Sequence, residues 1–221
     1  GSEMCIRDRD KTSLEGYQIG NNEFGGGVSD GVNGIIAYKG KYNELQANKA
    51  YFFFDNMMFC IGSDISYVQN DNVLTSVEQN LLNGEVIYND GQEKQLSSNS
   101  NMQLKQLKWV YHNNTGYIFR GTDNVTIQNM SQAGSWKDIN ATGESGLIDK
   151  NVFSVWINHG LNPENASYQY IVVPDKSINA FRDLAEQIDL YIAQNDGSVQ
   201  AIREGNKLSL IHISEPTRQA E

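Results

Sequence analysis

Short apolar runs, many of them alternating with polar residues, recur along most of the chain and are separated by Asn, Asp, Gly and Pro. Runs of this length and period are typical of β-strands, and turns at such close spacing are typical of antiparallel sandwiches and barrels. The predicted strands cover residues 34–38, 50–55, 57–62, 73–79, 84–88, 107–112, 116–120, 125–130, 152–159, 166–173, 191–193 and 199–203. The pattern therefore predicts an all-β fold, a large antiparallel β-sandwich.

Two of these strand pairs are joined by short turns that predict β-hairpins, at residues 55–56 and at residues 113–115. The strand before the first turn carries four consecutive aromatic residues, 51–54. Such a run favours a strand that is buried on both faces. An aromatic platform for a sugar ring is the alternative interpretation, and core packing is the favoured one.

A single segment breaks the strand pattern. Apolar residues recur at helical spacing from Ile178 to Ile188, directly after Ser177, which is a good N-cap residue. Pro174 ends the strand before it. The sequence thus predicts one short helix near residues 177–188.

Composition narrows the possible partners. At 221 residues the chain fits one large domain, and its formal net charge of -10 argues against nucleic acid, which requires clustered Lys and Arg. No apolar run approaches the roughly 18 residues of a membrane span, so no membrane partner is expected. Cys60 lies in an apolar run, where a buried free thiol is expected rather than a disulfide.

The two ends of the chain differ from the part between them. Residues 1–9 and 208–221 resemble translated sequencing-adapter read-through, which occurs at the ends of reading frames assembled from environmental DNA, and the first two residues resemble a cloning scar. We therefore expect both tails to be foreign to the fold. The expected native domain covers residues 10–207, begins part-way into a bacterial protein and is truncated at its N-terminal side.

Residues with catalytic potential are few and scattered. The glycine-rich stretch 25–31 lacks the Gly-Lys-Ser/Thr ending of a phosphate loop. His112 and His159 are far apart in sequence, and each is more often a structural histidine than a general base. Ser135 lacks the flanking glycine of a nucleophile elbow. From the residues alone we expect no catalytic triad, no metal site and no cofactor.

Several ordered motifs carry the interpretation further. They are residues 24–31, 49–55 with 60–65, 134–140, and 152–160 running into 165–174. In this order they closely resemble the central domain of polysaccharide lyase family 8, which contains hyaluronate, chondroitin AC, chondroitin ABC and xanthan lyases. The resemblance covers nearly all of residues 10–207, and residues 199–203 resemble the place where that central domain ends.

The resemblance implies a β super-sandwich, similar to the galactose-mutarotase fold, between a helical toroid and a smaller C-terminal β domain. It implies cleavage of uronic acid-containing glycans by β-elimination. The Asn, Tyr, His and Arg residues of that reaction belong to the toroid, so none is assigned to this chain and the isolated chain is expected to be inactive.

The resemblance also implies a few polar residues that face the substrate from a loop near the start of the domain. The best local match is Asn21, Asn22 and Glu23. The expected partners are an acidic polysaccharide, bound weakly through the parent cleft, and the parent's toroid and C-terminal β domain. Members of the family imply a secreted or periplasmic bacterial enzyme.

Two other functions remain open at this point. One is a free-standing carbohydrate-binding sandwich, which a groove lined by Trp or Tyr would favour. The other is an independent enzyme on a mutarotase-like sandwich, which would need His and Glu to converge on a concave face. The exposure of Trp109, Trp136 and Trp156 distinguishes binding from packing, and we expect them to be mainly buried.

Overall fold

The fold is taken from a computed structural model, and the described residues are 21–42, 44–54, 56–135, 146–188, 190–196, 199–204 and 207–212. The elements in chain order are β1 Asn21–Ser29, β2 Gly34–Tyr42, β3 Leu45–Phe54, β4 Met57–Ser66, β5 Asn72–Leu81, β6 Val86–Asn89, β7 Glu93–Gln95, β8 Ser100–Leu104, β9 Trp109–His112, β10 Thr115–Phe119, β11 Val125–Ser135, β12 Leu147–Leu161, β13 Ala166–Val173, α1 Ile178–Gln187, β14 Leu190–Asn195, β15 Val199–Glu204 and β16 Lys207–His212. The predicted all-β fold with one short helix is confirmed.

The strands form three antiparallel sheets. A nine-stranded sheet has the order β1-β2-β3-β4-β13-β10-β9-β6-β7, a four-stranded sheet has the order β5-β12-β11-β8, and a three-stranded sheet has the order β14-β15-β16. The two predicted hairpins are present as β3–β4 and β9–β10. In the second, Asn113 and Asn114 both have positive φ, as a two-residue hairpin turn requires.

The nine-stranded sheet is covered on both faces. One face packs on the four-stranded sheet, and that core includes Tyr117, Phe153 and Tyr170. The other face packs against α1 and the three-stranded sheet, and that core includes Phe52 and Phe181. Because many strands of this central sheet bury both faces, they read as nearly unbroken apolar runs.

The helix begins and ends where the sequence predicts. The Ser177 hydroxyl oxygen accepts a hydrogen bond from the backbone N–H of Ala180, and Ile188 closes the helix. Phe181 is fully buried and lies on Gly116 of β10, where a side chain would overlap its ring. The absence of a side chain at this one position allows the helix to approach the sheet closely.

The glycine-rich segment does not form a loop. Gly25, Gly26 and Gly27 lie in β1, which pairs with β2, and positive φ begins only at Gly31 in the following turn. The strands β7 and β8 were also not predicted, because they are short and largely polar. Within the described part of the chain, no helix is long and apolar enough to span a membrane.

The assignment of the tails stays a prediction. Residues 1–20 and 213–221 lie outside the described residues. Of the C-terminal tail, residues 208–212 belong to β16, whose backbone pairs with β15. A foreign segment can also pair with an exposed strand edge, so this pairing does not test the assignment.

Candidate functional site

The three residues expected to face a substrate lie at the start of the edge strand β1. Asn21 is opposite Lys41 and Asn22 is opposite Gly40 of β2. The register shifts between Asn22 and Phe24, so that Glu23 is the extra residue of a β-bulge. The expectation of a loop here is wrong, because backbone pairing with β2 extends to the first described residue. The structure does bring the segment to one exposed edge of the large sheet.

Glu23 forms an ion pair with Lys39, with 2.7 Å between Oε2 and Nζ. The hydrogen bond and the positive charge of Lys39 lower the pKa of the Glu23 carboxyl group, and the charge of Lys41 adds to this effect. Glu23 is therefore a carboxylate at neutral pH, and it is poorly suited to donate a proton. It can accept hydrogen bonds from sugar hydroxyls, which is the chemistry of binding rather than of acid catalysis.

Lys39 was not among the residues predicted for the site. It follows Glu23 by 16 positions in sequence, and the two side chains meet because β1 and β2 form an antiparallel hairpin in which Phe24 is opposite Lys39. The hairpin arrangement could have indicated the pair, but glycine in β1 concealed the strand.

Aromatic side chains adjoin this edge on β2 and β3. The rings of Tyr38 and Tyr51 stack with centroids 6.4 Å apart, and both residues are half-buried. The four consecutive aromatics divide between the faces of the sheet: Phe52 is fully buried, whereas Phe53 is 37% exposed. Core packing is thus confirmed for Phe52, and the other face retains an accessible aromatic strip.

A Tyr–Glu–His group lies between the two large sheets. The Tyr117 hydroxyl donates a hydrogen bond to the Glu78 carboxylate, and the His112 ring lies near enough for the charge of Glu78 to act on it. Tyr117 is 4% exposed and His112 is 3% exposed. His112 Nε2 accepts a hydrogen bond from the backbone N–H of Asn83, and burial lowers the pKa of its ring.

Glu78 was missed because of a second bulge. In β5, Glu78 is opposite Val155 of β12 while Ser76 is opposite Trp156, which leaves Val77 as the extra residue. Simple alternation would point Val77 inward and Glu78 outward, but the bulge turns Glu78 inward to Tyr117. The group is nearly inaccessible to a polymeric substrate, so we interpret it as a satisfied polar pair within the core.

His159 is also structural in its surroundings. Its Nε2 lies 2.8 Å from the Thr75 hydroxyl, and its ring packs beside Tyr168. Burial, together with the positive charge of Lys49, lowers the pKa of His159 to about 4. The imidazole is neutral at pH 7. The two histidines and the core glutamate therefore do not converge on a concave surface, as an independent mutarotase-like enzyme would require.

The remaining indicators of a binding groove or a metal are weak. Trp109 is 7% exposed, as predicted, Trp156 is half-buried, and Trp136 lies outside the described residues. Cys60 is a buried free thiol, as predicted. Across the described ranges no group of three or more His, Cys, Asp or Glu side chains is arranged to hold a metal ion.

Comparison with known protein families gives one match over most of the chain. Residues 5–185 match the model of polysaccharide lyase family 8, super-sandwich domain. Among curated proteins, chondroitinase-AC of Pedobacter heparinus is 41% identical over 169 residues, which is 76% of this chain and 24% of that protein. Xanthan lyase of Bacillus sp. is 29% identical over 186 residues, or 79% of this chain and 20% of that protein. The chain thus spans about a quarter or less of the length of these relatives.

Solved structures agree with the sequence comparison. A chondroitinase AC lyase studied as enzyme–oligosaccharide complexes superposes with a TM-score of 0.78 at 34% identity, covering 86% of this chain and 28% of that one. A Paenibacillus xanthan lyase superposes with a TM-score of 0.79 at 25% identity, covering 90% of this chain and 20% of that one.

Proposed function

Because this chain belongs to polysaccharide lyase family 8, we propose that it forms one wall of the substrate cleft in an enzyme that cleaves uronic acid-containing glycans by β-elimination. The observation that carries the proposal is the family match over residues 5–185 with 41% identity to a chondroitinase. The finer choice between hyaluronan and chondroitin belongs to the parts of the parent enzyme that this chain lacks.

The chain supplies support and binding, and the chemistry comes from elsewhere in the parent. Its two native histidines, His112 and His159, are buried and have lowered pKa values. Its accessible polar edge is the start of β1 with Glu23 and Lys39, where a carboxylate and an ammonium offer an acceptor and donors to a sugar. These properties favour a wall of a cleft over an independent active site.

A domain exchange tests the proposal directly. The segment of Pedobacter chondroitinase-AC that aligns with residues 21–185 would be replaced by those residues, and the unsaturated product would be followed by its ultraviolet absorbance. We expect the chimera to be active on chondroitin, whereas the isolated chain gives no product above a buffer blank. A folded but inactive chimera would contradict the proposal.

Variants of the chimera locate the contact. Asn22→Ala and Glu23→Gln should raise KM several-fold with kcat little changed, because they remove binding rather than proton transfer. Glu85→Gln, an exposed carboxylate on another turn, is the matched control. We also propose that the parent is a secreted or periplasmic bacterial enzyme, since its polymeric substrates lie outside the cell.

A further inference from the structure

An exposed apolar patch lies at the turn end of the β1–β2 hairpin. Val28 is 65% exposed, Val32 80%, Ile36 52% and Phe53 37%. These four side chains surround an open depression of about 460 Å³. Contiguous exposed apolar surface of this kind commonly marks a site of association.

The patch is uncovered because the two large sheets differ in width. Ile36 is opposite Tyr51, and Tyr51 packs toward the core that the four-stranded sheet covers. Nine strands face four, so the strands β1 and β2 extend past the smaller sheet. Ile36 and Phe53 therefore occupy a face that is core elsewhere in the same sheet.

Val32 projects from a turn that is held rigidly. The Asp30 carboxylate accepts hydrogen bonds from the backbone N–H groups of Val32 at 2.8 Å and Asn33 at 2.6 Å. The Ser29 hydroxyl donates to the Asn33 carbonyl oxygen and accepts from the N–H of Gly31. These bonds fix the turn before any partner arrives, which reduces the entropy lost on association.

The depression beside Val32 exists because glycines line it. Gly27, Gly31 and Gly34 present no side chains to it. A projecting valine and an apolar depression on one surface are the two halves of a self-complementary contact. A two-fold axis between two copies would place each Val32 in the depression of the other.

Charge also favours a second copy at this place. The chain carries a net charge of -10, which opposes contact between copies over most of its surface. Residues 24–29, 31–38 and 50–54 contain no Asp, Glu, Lys or Arg, and the Asp30 carboxylate between them is bound within its turn. An acidic glycan would find no cation in these segments.

We propose that this patch, Val28, Val32, Ile36 and Phe53, is the surface through which the chain forms a two-fold dimer, with Val32 of each copy seated in the glycine-lined depression of the other. Analytical ultracentrifugation of the full chain over a series of concentrations tests it. Val32→Lys should weaken dimerisation at least tenfold. Val68→Lys, which changes a valine of similar exposure, 73%, should leave it unchanged.

Two further readouts separate this contact from its alternatives. Raising the salt concentration should strengthen the dimer, because it screens the net charge while the apolar contact persists. A chain that is monomeric at every concentration, or that is weakened equally by both valine substitutions, would overturn the proposal. Dissociation of the dimer by an equimolar hyaluronan hexasaccharide would overturn it in favour of a glycan surface. Since Val32 is exposed, circular dichroism should show both variants folded.

Discussion

At the scale of single residues, the chain keeps its ionisable side chains in two settings. On the surface, Glu23 and Asp30 are carboxylates held by Lys39 and by backbone N–H groups, and these contacts lower the pKa of both carboxyl groups. In the core, His112 and His159 are held neutral by burial. Only the second setting makes folding strongly dependent on pH near neutrality, since an unfolded histidine titrates there.

His159 should therefore make the protein less stable as the pH falls below about 6.5. Its pKa in the folded chain is about 4, so between these values the unfolded chain binds a proton that the folded chain does not. The contribution to unfolding free energy is constant above pH 6.5 and should fall by about 1.3 kcal/mol between pH 7.5 and 5.5. Urea unfolding at both pH values measures it.

The variant His159→Gln provides the comparison, because it keeps a polar group beside Thr75 and does not titrate. Its stability should depend less on pH by that amount, while carboxylate effects cancel in the difference. A residual slope from His112 is expected, and His112→Gln/His159→Gln should remove it. Equal slopes for the wild type and His159→Gln would contradict the assignment.

At the scale of elements, the sequence predicts what depends on local pattern. The helix α1 is predictable because Ser177 caps it and Ile178, Phe181 and Leu184 share one side. The bulges at Glu23 and Val77 are not predictable, because each depends on pairing with a distant strand. The bulges also decide which way Glu78 points, so the core Tyr–Glu pair was hidden for the same reason.

The contact between α1 and β10 depends on the absence of a side chain at Gly116. Gly116→Ala would place a methyl group within the Phe181 ring, whose neighbours Trp109 and Tyr111 leave it little space to move. We expect a loss of about 1–3 kcal/mol in unfolding free energy, the usual cost of overpacking. Denaturant unfolding measures it.

Gly134→Ala in β11 is the matched control, since nothing lies within 4 Å of an added methyl group there. In a Phe181→Ala background the cost of Gly116→Ala should largely disappear, because the two changes act on one contact. A cost that is the same in both backgrounds would show that the backbone at Gly116, rather than the ring, sets the requirement.

At the scale of the whole molecule, the fold class and the family were predictable, whereas the position of the site was predictable only in part. The motifs 24–31 and 152–160 lead to the family that residues 5–185 match. Asn21, Asn22 and Glu23 were predicted as a loop and lie in an edge strand, and their contribution to substrate binding stays a prediction. The unequal widths of the sheets follow from long-range topology, which local patterns do not encode.

The same whole-molecule view predicts weak binding of the isolated chain to acidic glycans. One wall of a cleft makes only part of the contacts, and a loss of about 4 kcal/mol weakens binding roughly a thousandfold. The net charge of -10 adds repulsion toward a polyanion that physiological salt screens only partly. We expect millimolar or undetectable affinity for hyaluronan and chondroitin oligosaccharides in calorimetry or NMR titration. Glu23→Gln, which removes one negative charge next to Lys39, should strengthen this weak binding slightly, whereas Glu85→Gln should not. A micromolar dissociation constant, abolished by changing Asn22 and Glu23 to Ala, would instead identify the chain as a binding module in its own right.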